Sequence, residues 1–148
     1  MLTVLIVDDV SLFRLGIKAS IKRIKGARVW DCDYNKDEYP QNYDICVLEA
    51  QTSSSAISII DNNDVDLIFL DLDLGSDPNL SDKDKDGMEI AKYVSEEGKN
   101  IKKIVMLSGN VSESYVYQGF KYGVTDVLKK PASPDKIMQY VSDMLNIS

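Results

Sequence analysis

The chain has 148 residues, a length that predicts a single domain able to bury its own core. Its 17 basic and 24 acidic side chains give a net charge of −7, which disfavours binding to a nucleic-acid backbone. It contains no histidine, and this excludes catalysis by Ser-His-Asp or Cys-His arrangements as well as an internal phosphohistidine.

Short apolar runs alternate with helical patterns along the chain. The runs are rich in valine, isoleucine and leucine, and they cover residues 4–7, 45–48, 67–70, 104–107 and 124–128. Runs of this length and composition, bounded by polar residues, predict five buried strands.

A helical pattern follows each run. The first pattern is an apolar stripe of residues spaced three or four apart, namely Phe13, Ile17, Ile21 and Ile24. Further along the chain, Ser112 predicts the N-cap of the fourth helix. Ser133 followed by Pro134 predicts the start of the fifth, because proline is favoured at the first helical position.

Five consecutive strand–helix units predict an α/β domain, a parallel sheet with helices on both faces. The nearly continuous apolar runs support this prediction, since strands of a parallel sheet are buried on both sides. Residues 28–44 and 75–86 interrupt the alternation with polar, turn-forming sequence, and we expect both to be surface insertions. We therefore expect one domain over residues 1–148.

Polar side chains follow four of the five predicted strands. In an open parallel sheet, ligands bind beyond the carboxyl ends of the strands, so these side chains are expected to converge. They are Asp8 and Asp9 after the first strand, Asp71 and Asp73 after the third, Ser108 after the fourth and Lys130 after the fifth.

This set of side chains suits phosphoryl transfer. Clustered carboxylates repel one another, and Mg²⁺, which prefers oxygen ligands, relieves that repulsion. An aspartate can act as a nucleophile toward phosphorus and form an aspartyl phosphate. The transferring group then needs a metal ion, a lysine and hydroxyl or backbone donors to neutralise its charge. The set of strand-end residues supplies each of these parts.

The same segments resemble the receiver domain of two-component response regulators, in the CheY-like superfamily. Residues 4–9 (VLIVDD) resemble its first strand and acidic pair, and residues 66–72 (DLIFLDL) its phosphoacceptor strand. Residues 105–109 (VMLSG) resemble the hydroxyl-bearing strand, residues 128–131 (LKKP) the lysine strand, and residues 86–87 (DG) the opening of the third helix. The resemblance implies a flavodoxin-like doubly wound sheet of five parallel strands in the order 2-1-3-4-5.

The resemblance also implies a role for each residue in phosphoryl transfer. Asp71 would accept the phosphoryl group from a phosphohistidine on a sensor histidine kinase or a histidine phosphotransfer protein. Lys130 would pair with the phosphoryl oxygens, and Ser108 would hydrogen-bond the phosphate once it arrives. Such a domain catalyses only its own phosphorylation and dephosphorylation, so we expect a signalling receiver and not an enzyme.

A magnesium site is implied in the same way. Asp9 and Asp71 would ligate Mg²⁺ through their side chains, and Asp73 would add its backbone carbonyl. Asp8 would hold a water molecule bound to the metal. Mg²⁺ is therefore the expected cofactor of this chain.

Three features depart from the family pattern. Asp86 lies 86 − 71 = 15 residues after Asp71, about twice the usual distance. Gly75 stands where the family often has proline. Val127 stands where many members carry a tyrosine or phenylalanine that turns inward on activation, so we expect the 109–111 loop to transmit the switch instead.

Two rival functions remain beside the receiver. Residues 70–73 (LDLD) have the form of the nucleophile strand of a haloacid-dehalogenase-type phosphatase. In that family the nucleophile strand comes first, whereas here Asp8 and Asp9 precede it. The second rival is a binding-only pseudo-receiver, which would lack one of the acids or the lysine, and none is missing.

The 75–86 segment also contains half of a calcium-loop pattern. Asp82, Asp84, Asp86 and Gly87 match the first part of an EF-hand loop, but its position 12 would be Tyr93 and not a glutamate. A solvated acidic loop explains the pattern better, and weak cation binding stays open.

Features of the whole chain indicate its compartment and partners. No apolar run approaches the ~18–20 residues that span a bilayer, and the first residues lack the basic region of a signal peptide. Two cysteines, Cys32 and Cys46, fit a reducing compartment better than a disulfide framework. We expect a cytoplasmic protein without membrane or nucleic-acid contacts of its own. The resemblance allows an output domain or effector protein and a homodimer.

Overall fold

Strands and helices alternate along the described residues, which are 1–32, 42–75, 77–109 and 112–145 of the computed structural model. The strands are β1 (Leu2–Val7), β2 (Val29–Asp31), β3 (Ile45–Ala50), β4 (Leu67–Asp71), β5 (Lys103–Ser108) and β6 (Asp126–Lys129). The helices are α1 (Ser11–Lys22), α2 (Ser53–Asn62), α3 (Met88–Glu96), α4 (Glu113–Lys121) and α5 (Pro134–Met144). The predicted α/β class, the parallel sheet and the five helices are confirmed.

Among the described residues, the sheet has six parallel strands in the order β2-β3-β1-β4-β5-β6. The prediction of five strands in the order 2-1-3-4-5 is therefore wrong in strand number, although the five predicted strands occupy that relative order. The extra strand, β2, lies at one edge and pairs Val29 with Ile45 and Trp30 with Cys46. It falls within residues 28–44, which were expected to form a surface insertion. A strand of three residues is too short to show a strand pattern in the sequence.

The helices cover both faces of the sheet. The core on one face lies beneath α1 and α5, and its buried helix residues are Ile17, Ile21, Ile137 and Val141. The core on the other face lies beneath α2, α3 and α4, and its fully or largely buried helix residues include Ala56, Ile60, Ile90 and Val94. Every residue of the central strand β1 is buried, as expected for a strand covered on both faces.

The predicted stripe of α1 is correct at three of its four positions. Ile17 and Ile21 of α1, and Ile24 just beyond its end, are buried against the sheet. Phe13 is 38% exposed instead. It occupies the first turn of α1, which begins at Ser11, and its ring faces Lys130 beyond the end of β6. The helical spacing predicted that Phe13 faces the core, whereas the structure places it partly exposed beside Lys130.

A chain of ion pairs fastens the edge strand β2 to α1. The Asp31 carboxylate, which is 3% exposed, lies 3.3 Å from Lys18 Nζ and 3.0 Å from Lys22 Nζ. Lys18 Nζ also lies 2.8 Å from Glu49 Oε2, and Arg14 Nε lies 3.0 Å from Glu49 Oε1. These carboxylates raise the pKa of Lys18, although burial alone would lower it. A buried carboxylate between two lysines therefore holds β2 in place.

We expect Asp31→Asn to lower the free energy of unfolding by about 2 kcal/mol, because it leaves the buried Lys18 with one fewer charged partner. Urea denaturation of the two proteins measures this difference. Lys22→Ala is the matched control, since the Lys22 side chain is 42% exposed and its ion pair should contribute less than about 1 kcal/mol. If the two substitutions lowered the free energy of unfolding equally, the buried Asp31 carboxylate would not be the group that stabilises β2.

The helices of the described residues are short. None of them combines the length and the apolar composition that crossing a membrane requires. The longest, α1, has 12 residues and carries charged side chains.

Candidate functional site

The carboxyl ends of β1, β4, β5 and β6 meet at one edge of the sheet. Asp8 follows β1, Asp71 is the last residue of β4, Ser108 is the last residue of β5, and Lys130 follows β6. Strand register explains the convergence: Val7 pairs with Leu70, and Asp71 pairs with Leu107, the neighbour of Ser108. Residues that are far apart in sequence are thereby brought together, as the strand pattern predicted.

Three carboxylates form the acidic part of the site. One ligand oxygen from each of Asp8, Asp9 and Asp71 lies within 4.8 Å of the others, an arrangement that could hold a metal ion. Asp8 is fully buried, Asp71 is 6% exposed, and Asp9 is partly exposed. The cluster is therefore open to solvent on the side of Asp9.

Asp8 is held by the start of α1. Its Oδ1 accepts a hydrogen bond of 2.9 Å from the Val10 backbone N–H. Its backbone carbonyl accepts a hydrogen bond of 2.7 Å from Arg14 Nη1, which links the site to the ion pairs beneath α1. Fixing both the side chain and the main chain leaves Asp8 little freedom to relax away from its neighbours.

Lys130 provides the positive charge among these carboxylates. Its Nζ lies 2.7 Å from Asp8 Oδ2 and 3.0 Å from Asp71 Oδ2. Burial alone would lower the pKa of Lys130, but the two carboxylates outweigh burial and raise it. The ammonium group therefore stays charged at neutral pH, and the site keeps a cation beside Asp71.

Burial dominates the ionisation of Asp71. It raises the pKa of Asp71 to about 6, and the negative charge of Asp8 adds to that effect. The hydrogen bonds from Lys130 and from the Asp73 backbone N–H, the latter 3.2 Å long, act in the opposite direction and do not restore the ordinary pKa. Asp71 is thus a desolvated carboxylate that a cation would favour in its charged form.

The chain leaves Asp71, makes the 75–86 loop and returns to the same place. Leu74 N–H donates to the Lys85 carbonyl at 2.8 Å, and Gly87 N–H donates to the Leu72 carbonyl at 2.9 Å. At Gly87 the two segments approach so closely that a Cβ atom would lie 2.1 Å from the Asp71 carbonyl oxygen. Only glycine fits there without movement of the backbone that carries Asp71.

The far part of this loop docks on α2. Asp84 Oδ1 accepts a hydrogen bond of 2.9 Å from Ser54 N–H, and the Asp84 carbonyl accepts one of 3.2 Å from Ser53 N–H. Ser53 Oγ donates to the Asp86 carbonyl at 2.5 Å. The described residues of the loop are exposed or half-buried, and its residue Ser76 lies outside the described part.

The acidic residues of the loop do not converge in the way a calcium loop requires. Asp84 faces the start of α2, while Asp86 Oδ1 accepts hydrogen bonds from Met88 N–H, at 2.9 Å, and from the Tyr115 hydroxyl. Within the described ranges, the acidic groups close enough to share an ion are those of Asp8, Asp9 and Asp71. The calcium alternative is therefore not supported.

The predicted switch elements are described only in part. The Ser108 carbonyl accepts a hydrogen bond of 2.7 Å from Lys130 N–H, which ties the end of β5 to the lysine. Val127 is 37% exposed, so its side chain does not fill an inward-facing pocket. Asn110 and Val111, in the loop expected to transmit the switch, lie outside the described residues.

Comparison with known proteins identifies the family. Residues 35–142, more than half of the chain, match the family model of the response regulator receiver domain. The chain belongs to this family. The predicted resemblance to the receiver domains of two-component response regulators is confirmed, and the matched residues include Asp71, Ser108 and Lys130.

A curated relative covers most of this receiver domain. The chain is 30% identical over 109 residues to the transcriptional regulatory protein ComA of Bacillus subtilis (strain 168). The match covers 74% of this chain but 47% of ComA, so the receiver domain spans about half the length of that relative.

Solved structures share the fold over nearly the whole chain. A CheY-like response regulator receiver domain protein from Methanospirillum hungatei JF-1 has a TM-score of 0.69 at 18% identity, covering 99% of this chain and 94% of that one. The receiver domain of NtrX from Brucella abortus has a TM-score of 0.66 at 19% identity, covering 98% and 99%. The receiver domain of a Francisella response regulator has a TM-score of 0.66 at 23% identity, covering 99% and 98%.

Neither rival function is favoured by these findings. The family model and the solved structures are those of receivers and not of haloacid-dehalogenase-type phosphatases. The receiver domain also keeps the acids and the lysine that a pseudo-receiver would lack, and they lie together at the strand ends.

Sequence reasoning missed three contacts of the site. The Tyr115 hydroxyl reaches Asp86, Arg14 holds the Asp8 carbonyl, and the Phe13 ring lies over Lys130. Phe13 and Arg14 lie in the first turn of α1, shortly after the acidic pair in sequence. That position could have predicted their contact with the site. Tyr115 carried no such signal, since its contact depends on how α4 packs against the loop.

Proposed function

We propose that this receiver domain is phosphorylated on Asp71 by a phosphohistidine of a sensor histidine kinase or a histidine phosphotransfer protein. The observation that carries the proposal is the environment of Asp71. It is a buried carboxylate at a strand end, with Asp8 and Asp9 close by and Lys130 Nζ 3.0 Å from its Oδ2.

In the proposed reaction, a carboxylate oxygen of Asp71 attacks phosphorus and forms an acyl phosphate. The bond between phosphorus and the donor nitrogen breaks, and its electron pair remains on the donor imidazole. Lys130 pairs with the phosphoryl oxygens, because its ammonium group already lies beside Asp71. Ser108, on the neighbouring strand, donates a hydrogen bond to the phosphoryl group after transfer.

The residues present fit a magnesium ion. The cluster offers carboxylate oxygens, the ligand type that Mg²⁺ prefers, and the partly exposed Asp9 leaves room for water ligands. Asp9 and Asp71 would bind through their side chains, Asp73 through its backbone carbonyl, and Asp8 through a water molecule. Bound Mg²⁺ would offset the negative charge of the transferring phosphoryl group.

The proposed role is a signalling one. The receiver domain would catalyse only its own phosphorylation and dephosphorylation, and phosphorylation would alter its contact with an output domain, an effector protein or a second copy. Because the relative ComA is a transcriptional regulatory protein, a transcriptional output is the first to test.

We place this function in the cytoplasm, where phosphohistidine donors meet their receivers. We assign no nucleic-acid contact to this domain, because its net charge is −7.

We expect acetyl phosphate to add one phosphoryl group to the receiver domain in the presence of Mg²⁺ and none when EDTA removes the metal. Intact-mass spectrometry measures the addition directly. Asp71→Asn should remain unmodified, because it removes the nucleophile. Asp82→Asn is the matched control, since Asp82 is an exposed aspartate of the 75–86 loop. Equal modification of the Asp71→Asn protein would show that the phosphoryl group goes elsewhere.

A further inference from the structure

An aromatic ring covers the ammonium group of the site lysine. The centroid of the Phe13 ring lies 4.3 Å from Lys130 Nζ, well within the ~6 Å at which a cation and a ring face attract each other. Phe13 is 38% exposed, so packing in the core does not explain its position. The ring is placed by the first turn of α1, a helix that begins at Ser11, shortly after the acidic pair.

The other contacts of Lys130 show what the ring adds. Its Nζ lies 2.7 Å from Asp8 Oδ2 and 3.0 Å from Asp71 Oδ2, and its side chain is only 15% exposed. An ammonium group has three N–H bonds and sits on a flexible four-carbon stem. The carboxylates attract it, and the ring face covers part of the surface that water would otherwise reach.

We propose that Phe13 is a positioning residue, which holds the Lys130 ammonium group beside Asp71 for phosphoryl transfer. This inference rests on the proposed phosphorylation of Asp71. When the phosphoryl group arrives, the ammonium group must pair with its oxygens and loosen its contact with Asp8. A ring that attracts the cation without neutralising it allows that exchange and limits the other positions of the flexible stem. Holding a reacting group in place before the reaction lowers the barrier.

The exposed apolar neighbours of Phe13 suggest a different role, docking of a protein partner. Leu12 is 74% exposed and Leu15 is 50% exposed on the same helix. A docking role predicts no effect of Phe13 on phosphorylation by a small donor, since no partner is then present. The contact with Lys130 favours the positioning role.

Phosphorylation by acetyl phosphate with saturating Mg²⁺ tests the proposal in the receiver domain itself. Phe13→Leu keeps the apolar bulk and removes the ring, and we expect it to lower the rate constant about three- to tenfold. Phe13→Tyr keeps the ring face and should stay within about twofold of the wild type. Leu12→Ala is the matched control on the same turn and should leave the rate unchanged. Thermal unfolding of each variant confirms that the fold is intact.

The position of Lys130 has its own readout, which requires no phosphorylation. A ring face near Nζ shifts the NMR signals of the Lys130 ε-methylene protons upfield. We expect that shift in the wild type and in Phe13→Tyr, and its loss in Phe13→Leu. A folded Phe13→Leu protein that reacts at the wild-type rate would overturn the proposal, and so would a slower one whose Lys130 signals do not move. Absence of phosphorylation in the wild type would instead overturn the proposed function itself.

Discussion

Replacing Gly87 with alanine is expected to lower the free energy of unfolding by about 3 kcal/mol and to slow phosphorylation of Asp71. The added Cβ would lie 2.1 Å from the Asp71 carbonyl oxygen and 2.8 Å from Leu72 Cα. Both atoms belong to the backbone, so no side-chain rotation relieves the clash. The strand end that carries Asp71 has to move, and the distances to Asp8 and Lys130 change with it.

Gly16→Ala is the control for this substitution. Gly16 lies within α1, and nothing lies within 4 Å of the position of its added Cβ. Alanine there should stabilise the protein by about 0.5–1 kcal/mol, because glycine weakens a helix interior. Urea denaturation and the rate of reaction with acetyl phosphate measure both variants. A Gly87→Ala protein with wild-type stability would mean that the loop does not need this close approach.

Asp71→Asn is expected to make the metal-free protein more stable than the wild type by about 3 kcal/mol near pH 7.5. Burial raises the pKa of Asp71 to about 6, above its ordinary value of 3.8. The folded state therefore holds this proton more tightly than the unfolded chain does. Below about pH 4 the carboxyl group is protonated in both states, and it costs no stability. As the pH rises from about 4 through 6, the unfolded chain releases the proton before the folded state does, so the free energy of unfolding falls.

The pH dependence of the stability difference separates the effect of ionising Asp71 from any effect of the substitution that does not depend on charge. The difference in unfolding free energy between Asp71→Asn and the wild type, measured in EDTA, should shrink toward zero near pH 4. Asp82→Asn, at an exposed loop position, is the control substitution. Mg²⁺ should narrow the difference near pH 7.5, because a ligand at ~100 times its dissociation constant stabilises the wild type by about 2.7 kcal/mol. A difference that does not vary with pH would contradict the burial of an ionised Asp71.

The strands that were predicted correctly are those whose environment leaves a signal in the sequence. Because β1 and β4 are buried at every residue, residues 4–7 and 67–70 within them form unbroken apolar runs. The edge strand β2 has three residues and pairs with β3 among the described strands, so neither its length nor its composition predicted a strand. Its anchor is the Asp31 ion pair with α1, a tertiary contact that residue spacing does not predict.

The meeting of the site residues could be predicted for a geometric reason. Carboxyl ends of parallel strands share one edge, so Asp8, Asp71 and Lys130 had to meet once their strands were identified. Contacts made by helices were not predictable in this way. The Phe13 ring belongs to a helical stripe in sequence, yet its helix begins beyond the strand end. The contact between Tyr115 and Asp86 requires the observed packing of α4 on the 75–86 loop.

The most direct test of Asp71 as phosphoacceptor is chemical mapping of the bond that forms. Borohydride reduces an acyl phosphate of aspartate to homoserine, and peptide sequencing by mass spectrometry locates that residue. After treatment with acetyl phosphate and Mg²⁺, we expect homoserine at position 71, and none when EDTA replaces the metal. Homoserine at position 8 or 9, or a phosphorylated protein that yields no homoserine, would contradict the assignment of Asp71.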